Sequence, residues 1–121
     1  MWKKIRLGLL MCVAVLVAGA LYFFWPNAKA IQRARESVLK QDLYDLRSLI
    51  KEYSSDKQRR PASLQDLVAS GYMDKVPADP MTRRSDTWVI EQSTDATTPG
   101  IVDIHSGSRT RSSEGNLYSD W

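Results

Sequence analysis

Residues 28–54 read AKAIQRARESVLKQDLYDLRSLIKEYS, a stretch with no glycine and no proline. Ile31, Ala34, Val38, Leu39, Leu43, Leu46, Leu49, Ile50 and Tyr53 recur in it at mixed spacings of three and four. That period predicts a long amphipathic helix with one apolar stripe. Charges fill the other face, where Glu36 and Lys40 are spaced as an i,i+4 pair. Asp42 and Asp45 fall on the same polar face as solubilising charges. A helix of this kind is stable only when its stripe is covered, so the remaining residues have to supply a cover.

Upstream, residues 7–25 (LGLLMCVAVLVAGALYFFW) carry no charge. At about 1.5 Å per residue they span about 28 Å, close to the hydrocarbon thickness of a bilayer. Lys3, Lys4 and Arg6 precede the run without any acid, and such a flank stays on the cytoplasmic side. Tyr22 and Trp25 end the run where amphipathic rings favour the interface. Residues 1–26 therefore read as a transmembrane anchor and 27–121 as a head on the far side. A cleaved signal peptide is the competing reading, because Ala28-Lys29-Ala30 has the A-x-A form. Cys12, the single cysteine, excludes an internal disulfide and reads as a small buried hydrophobe.

Downstream, Ser63-Leu64-Gln65-Asp66 predicts the start of a short helix capped by Ser63, with Gly71 placed to end it. Val76-Pro77-Ala78-Asp79-Pro80 is an extended, turn-rich connection. Residues 87–91 and 101–105 read as strands, separated by a polar stretch that ends in Pro99-Gly100. Residues 106–115 form a Ser/Gly/Arg loop, and 117–121 are either a last strand or a tail docked by Trp121. The expected fold is α+β: a long N-terminal helix packed against a short helix and a small antiparallel sheet, whose apolar face covers the stripe. One kinked helix through Pro26 is the simplest link between anchor and head.

The charge balance narrows the function. Of 17 basic side chains three precede the apolar run, so the head carries as many acids as bases. A neutral head gives no basic face for phosphates, and no nucleic-acid partner is expected. With one histidine, His105, and no nucleophile–base pattern or phosphate-binding glycine loop, neither an enzyme nor a small-molecule substrate is expected. His105 reads as a structural or surface residue. Arg59-Arg60 and Arg83-Arg84 lie close to Asp56, Asp79 and Asp86 and read as a mixed solvated surface.

The ordered set of segments resembles type IV pilins and, in detail, the G-type (major) pseudopilins of type II secretion. Arg33 to Leu43 is similar to the segment by which that family leaves the membrane. Leu46 to Tyr53, Asp56-Lys57, Pro61-Ala62-Ser63-Leu64 and Leu67 resemble its Y…D…P-x-S-L-x-x-L stretch. Gly71-Tyr72, Val76-Pro77 and Asp79-Pro80 resemble its G-Y…I-P-x-D-P connection, and Asp103 to Ser108 with Glu114-Gly115 and Trp121 its tail. The resemblance implies a pilin-like fold and a structural subunit of a secretion or pilus-like machine. It further implies partners among other pseudopilin subunits and inner-membrane components, and a single-pass bacterial inner-membrane protein with a periplasmic head.

The N-terminus departs from the family. In the register set by Pro26-Asn27, Lys4 stands where the peptidase motif has glycine, Ile5 where the mature chain begins with an aromatic, and Leu9 where it has glutamate. This departure opens the alternative of a non-polymerising or signal-cleaved binding module built on the same head. The resemblance also implies a calcium site in the C-terminal loop. Only Asp103, Glu114 and Asp120 are available there as acids, and Arg109 falls where the family has an Asp. Calcium takes six to eight oxygens with carboxylates prominent, so a hydrogen-bonded loop without a cofactor is the expectation.

Overall fold

The computed structural model describes residues 1–25 and 27–121. It has the expected α+β layout. The elements are α1 (Trp2–Phe24), α2 (Ala28–Lys57), α3 (Leu64–Ala69), β1 (Val89–Gln92) and β2 (Ile101–His105), with a closing 3₁₀ turn at Tyr118–Asp120. The chain divides into two compact units, Met1–Ile31 and Gln32–Trp121. The kink expected at Pro26 lies outside the described residues.

In the first unit, α1 is a helix of 23 residues, about 34 Å long. It is long and apolar enough to cross a membrane, and no residue of its apolar window is buried. Trp25 after it is extended. Asn27 opens α2: its Oδ1 accepts the Lys29 N–H at 3.1 Å, and its carbonyl accepts the Ile31 N–H at 3.1 Å. This is the bonding of an Asn N-cap.

The second unit is organised by the inner face of α2. Leu39, Leu43, Leu46, Ile50 and Tyr53 are buried at alternating spacings of four and three. Leu64 and Leu67 of α3, Trp88, Ile101 and Ile104 of β2, and Tyr118 close over them. The predicted stripe is corrected at its N-terminal end. Ile31, Ala34 and Val38 are exposed, Val38 by 51%, and the buried face continues instead through Glu36. The residue three before Leu39 and seven before Leu43 is the acid, so the helix turns it inward whatever its polarity. The expected Glu36–Lys40 pairing on the polar face is corrected with it. Glu36 faces the C-terminal loop, and Lys40 Nζ lies 4.6 Å from the Trp121 ring centroid.

α3 starts and stops on local signals. Asp66 Oδ2 accepts the Ala62 N–H at 2.8 Å and the Ser63 N–H at 3.3 Å, the acidic limb of a capping box. At the other end Gly71 takes φ +79, the Tyr72 N–H reaches the Leu67 carbonyl and the Gly71 N–H the Val68 carbonyl. These are the bonds of a Schellman motif. Tyr72 then packs on Tyr53 at 5.4 Å between centroids and donates its hydroxyl to Asp56 at 2.7 Å. That hydrogen bond pushes the Tyr72 phenol up to about 12.

The sheet has two antiparallel strands, with Val89 opposite His105, Ile90 opposite Ile104 and Glu91 opposite Asp103. The register then slips, and Gln92 faces Ile101. Val102 is the extra residue. An extra residue in one strand resets which side chains face inward, which is why Ile101 and Ile104, three apart, are both buried while Val102 is exposed. Simple alternation in the sequence does not anticipate this. Of the two readings of residues 117–121, the docked tail is observed: a 3₁₀ turn places Trp121 against Tyr118, 5.3 Å between centroids.

Two close approaches fix the connections. Asp79 is fully buried, and its carboxylate accepts the Met81 N–H (2.8 Å), the Ser106 hydroxyl (2.6 Å) and the Gly107 N–H (3.0 Å). It thereby ties the 77–87 connection to the exit of β2. A Cβ on Gly107 would lie 1.9 Å from the Thr87 carbonyl oxygen, so this crossing admits only glycine.

Two outcomes are expected in urea melts of the full-length chain in detergent. Leu46→Ala lowers the stability of the head by about 2–5 kcal/mol. Gly107→Ala lowers it by about 1–3 kcal/mol through overpacking. A loss below about 1 kcal/mol for Leu46→Ala would mean that this face of α2 packs elsewhere.

Candidate functional site

Three charged side chains along α2, Glu36, Lys40 and Arg47, border its apolar face and hold the C-terminal segment. Glu36 is 6% exposed. Its Oε1 accepts the Ser113 N–H (2.6 Å) and the Tyr118 hydroxyl (2.7 Å), and its Oε2 accepts the Ser113 hydroxyl (2.6 Å). Gln32 Nε2 donates to the same Tyr118 oxygen at 3.0 Å. Burial pushes the Glu36 carboxyl up, but the Ser113 hydroxyl, the Ser113 N–H and the Tyr118 hydroxyl outweigh it, and the group is held below its ordinary value. Burial, and then Glu36, raises the Tyr118 phenol.

Arg47 forms the second hold. Its Nε donates to Asp103 Oδ1 at 2.7 Å, and its Nη2 donates to the main-chain oxygens of Ile104 (2.8 Å) and Trp121 (3.0 Å). The Trp121 oxygen also accepts His105 Nδ1 at 2.6 Å. A cleft of about 500 Å³ opens here, lined in part by Arg47, Asp103, His105, Asp120 and Trp121. Burial raises the Asp103 carboxyl, and the stronger pull of Arg47 and the Ile104 N–H leaves it below its ordinary value.

The candidate calcium residues are not gathered in one place. Asp103 sits beside Arg47, Asp120 lines the same cleft, and Glu114 is exposed and lines a different one. Among the described residues, the group of three potential ligands that does converge is Glu91, Asp103 and His105, with ligand atoms within 4.8 Å of one another. The 106–115 loop satisfies itself. Ser106 Oγ accepts the Ser108 N–H, Ser112 Oγ accepts the Glu114 N–H, and Ser112 bonds Asn116. With Glu36 bonded to Ser113 as well, these residues do not fit a calcium cage in that loop.

The remaining charges have ordinary tasks. Arg84 grips Asp86 through two bonds of 2.8 and 2.6 Å. Arg60 donates to the Thr98 carbonyl and hydroxyl and to Ser93, and Arg59 lies 5.9 Å from the Tyr53 ring. Asp45 accepts Gln41 Nε2. Asp42 is half-buried rather than fully solvated, and burial, Asp45 and Asp79 together raise its carboxyl. Sequence reading missed Arg47 altogether and misplaced Glu36, although the three-and-four spacing already put Glu36 in line with Leu39 and Leu43. No protein-family model, curated protein or solved structure matches the chain.

The Glu36 clasp makes stability depend on pH with a defined sign. A carboxyl held below its ordinary value stabilises the folded state above the unfolded value, about 4.3, and loses that contribution as pH falls through the lower folded value. Glu36→Gln is expected to lower stability by about 1–3 kcal/mol at pH 7. The difference between the two proteins should shrink below about pH 4, read from urea midpoints between pH 3 and 7. A pH-independent difference would show that the charge of Glu36 plays no part.

Proposed function

We propose that this chain is a membrane-anchored, pseudopilin-like structural subunit of a type II secretion or related type IV pilus-like machine. The reading places α1 in a bacterial inner membrane, residues 1–6 in the cytoplasm and the head in the periplasm. Its partners are other pilin-type subunits and inner-membrane components of the machine. The observation that carries it is a wholly exposed apolar helix preceding an amphipathic helix whose inner face is covered by a short helix and a two-stranded sheet. That combination suits a part that works by helix packing. The loop in which many G-type pseudopilins bind calcium is bonded here to Glu36 through Ser113.

A second reading is favoured by Lys4, Ile5 and Leu9. A lysine side chain does not fit a peptidase pocket made for glycine. Leu9 has no carboxylate to neutralise a neighbouring amine in the bilayer, where an uncompensated charge costs several kcal/mol. On this reading the head is a non-polymerising or signal-cleaved module. If α1 does pack against other helices, Gly8, Ala14, Ala18 and Gly19 supply the small residues that allow close approach.

Two measurements decide. A reporter fused after Trp121 should be active only outside the cytoplasm, and cytoplasmic activity would overturn the proposed topology. The intact mass of the membrane-extracted chain, co-expressed with a prepilin peptidase, should be that of the uncut protein. A product beginning at Ile5 with a methylated amine would restore the ordinary processing route, and a cut after Ala30 would select the signal-cleaved module.

A further inference from the structure

The β1–β2 register sets Glu91 directly opposite Asp103, and like charges at facing positions destabilise a ladder. His105 follows Asp103 by two residues, so it shares that face. Its Nε2 lies 3.6 Å from Glu91 Oε2 and 3.7 Å from Asp103 Oδ2. Its other ring nitrogen, Nδ1, is 2.6 Å from the main-chain oxygen of Trp121. That oxygen can only accept, so Nδ1 carries the hydrogen. In the neutral ring Nε2 then carries a lone pair, with two carboxylate oxygens 3.6 and 3.7 Å away. In that neutral form, three acceptors converge with no donor among them. Arg47 binds the opposite oxygen of Asp103, Oδ1, and leaves Oδ2 turned to the group.

We propose that Glu91, Asp103 and His105 bind one divalent transition-metal ion of the zinc class. Zinc bonds of about 2.0–2.2 Å in a tetrahedron place ligand atoms about 3.4 Å apart, and the two separations from Nε2 are within a few tenths of an ångström of that edge. The remaining contraction falls on Glu91, the most exposed of the three side chains. An imidazole that ligates through one nitrogen and donates from the other to a main-chain oxygen is the usual orienting arrangement for a metal-bound histidine. One nitrogen and two carboxylate oxygens suit zinc and its neighbours better than calcium or magnesium, which demand more oxygens. Three protein ligands leave a fourth position of the tetrahedron for water. Bound metal would cancel the repulsion between Glu91 and Asp103 and fasten β1 to β2. Through His105 it would brace the Trp121 tail as well. The proposal does not depend on the secretion reading.

The test uses the full-length chain in detergent, stripped of metal and titrated with zinc chloride at pH 7.5. Saturable binding of one ion per chain is expected, with a rise in melting temperature that calcium and magnesium chloride do not produce. Glu91→Gln and His105→Gln should each weaken zinc binding by at least about tenfold. Because Glu91 is exposed and its charge opposes Asp103, Glu91→Gln should fold as well as the parent without metal. Cobalt in place of zinc should give the visible absorption of a tetrahedral site. Absence of saturable zinc binding would overturn the proposal. So would zinc binding that survives both substitutions. ¹⁵N resonances of His105 that show a doubly protonated ring, unchanged by zinc, would assign the group to a proton bridge and equally overturn it.

Discussion

Leu39, Leu43, Leu46, Ile50 and Tyr53 lie on one side of a single helix, and that side has to leave water for the helix to persist. An isolated amphipathic helix has nothing to bury its stripe against. The segments after Lys57 are arranged as the answer. α3 brings Leu64 and Leu67, the sheet brings Ile101 and Ile104, and the tail brings Tyr118. A two-stranded sheet is marginal alone, and here it persists because α2 is its other layer. Helix and cover are therefore one cooperative unit.

Apolar burial alone does not say how the last residues of the chain are directed. Charged side chains on the border of the apolar face do that. Glu36 gathers Ser113 and Tyr118, Arg47 gathers Asp103, Ile104 and Trp121, and Lys40 lies over the Trp121 ring. A buried carboxylate without such donors would be strongly unfavourable. With them it becomes a specific fastening, because few other arrangements satisfy both oxygens. Asp79 repeats the device at the opposite connection, where it is fully buried and bonded to Met81, Ser106 and Gly107. Two carboxylates thus position the loops that the core leaves free.

The first unit follows a different logic. α1 has no buried residue and is long and apolar enough to cross a membrane. On the proposed reading a bilayer covers it, and Lys3, Lys4 and Arg6 remain in water at its edge. The residues that would ally this helix with pilin assembly, a glycine at position 4 and an acid at position 9, are absent from it. The proposed secretion role accordingly draws its support from an apolar helix followed by a covered amphipathic one, and not from those two positions.

Much of this was legible in the order of residues, because periodicity and turn chemistry are local. The uncharged run at 7–25, the stripe through 39–53, the Ser63–Asp66 start and the Gly71 stop of α3 each depend on neighbours within a few positions. The β2 span was readable for the same reason. Other features depend on partners far away in the chain. The slip at Val102 is set by how two strands meet, and it alone decides that Ile101 and Ile104 share a side. Glu36 looked like a surface charge because its partners, Ser113 and Tyr118, lie some eighty residues away. His105 read as solitary because only the pairing of β1 with β2 brings Glu91 beside it. Local chemistry determines which elements form. Which charge is buried, and which acids meet the one histidine, is decided only when those elements pack, because polar groups find distant partners through the fold.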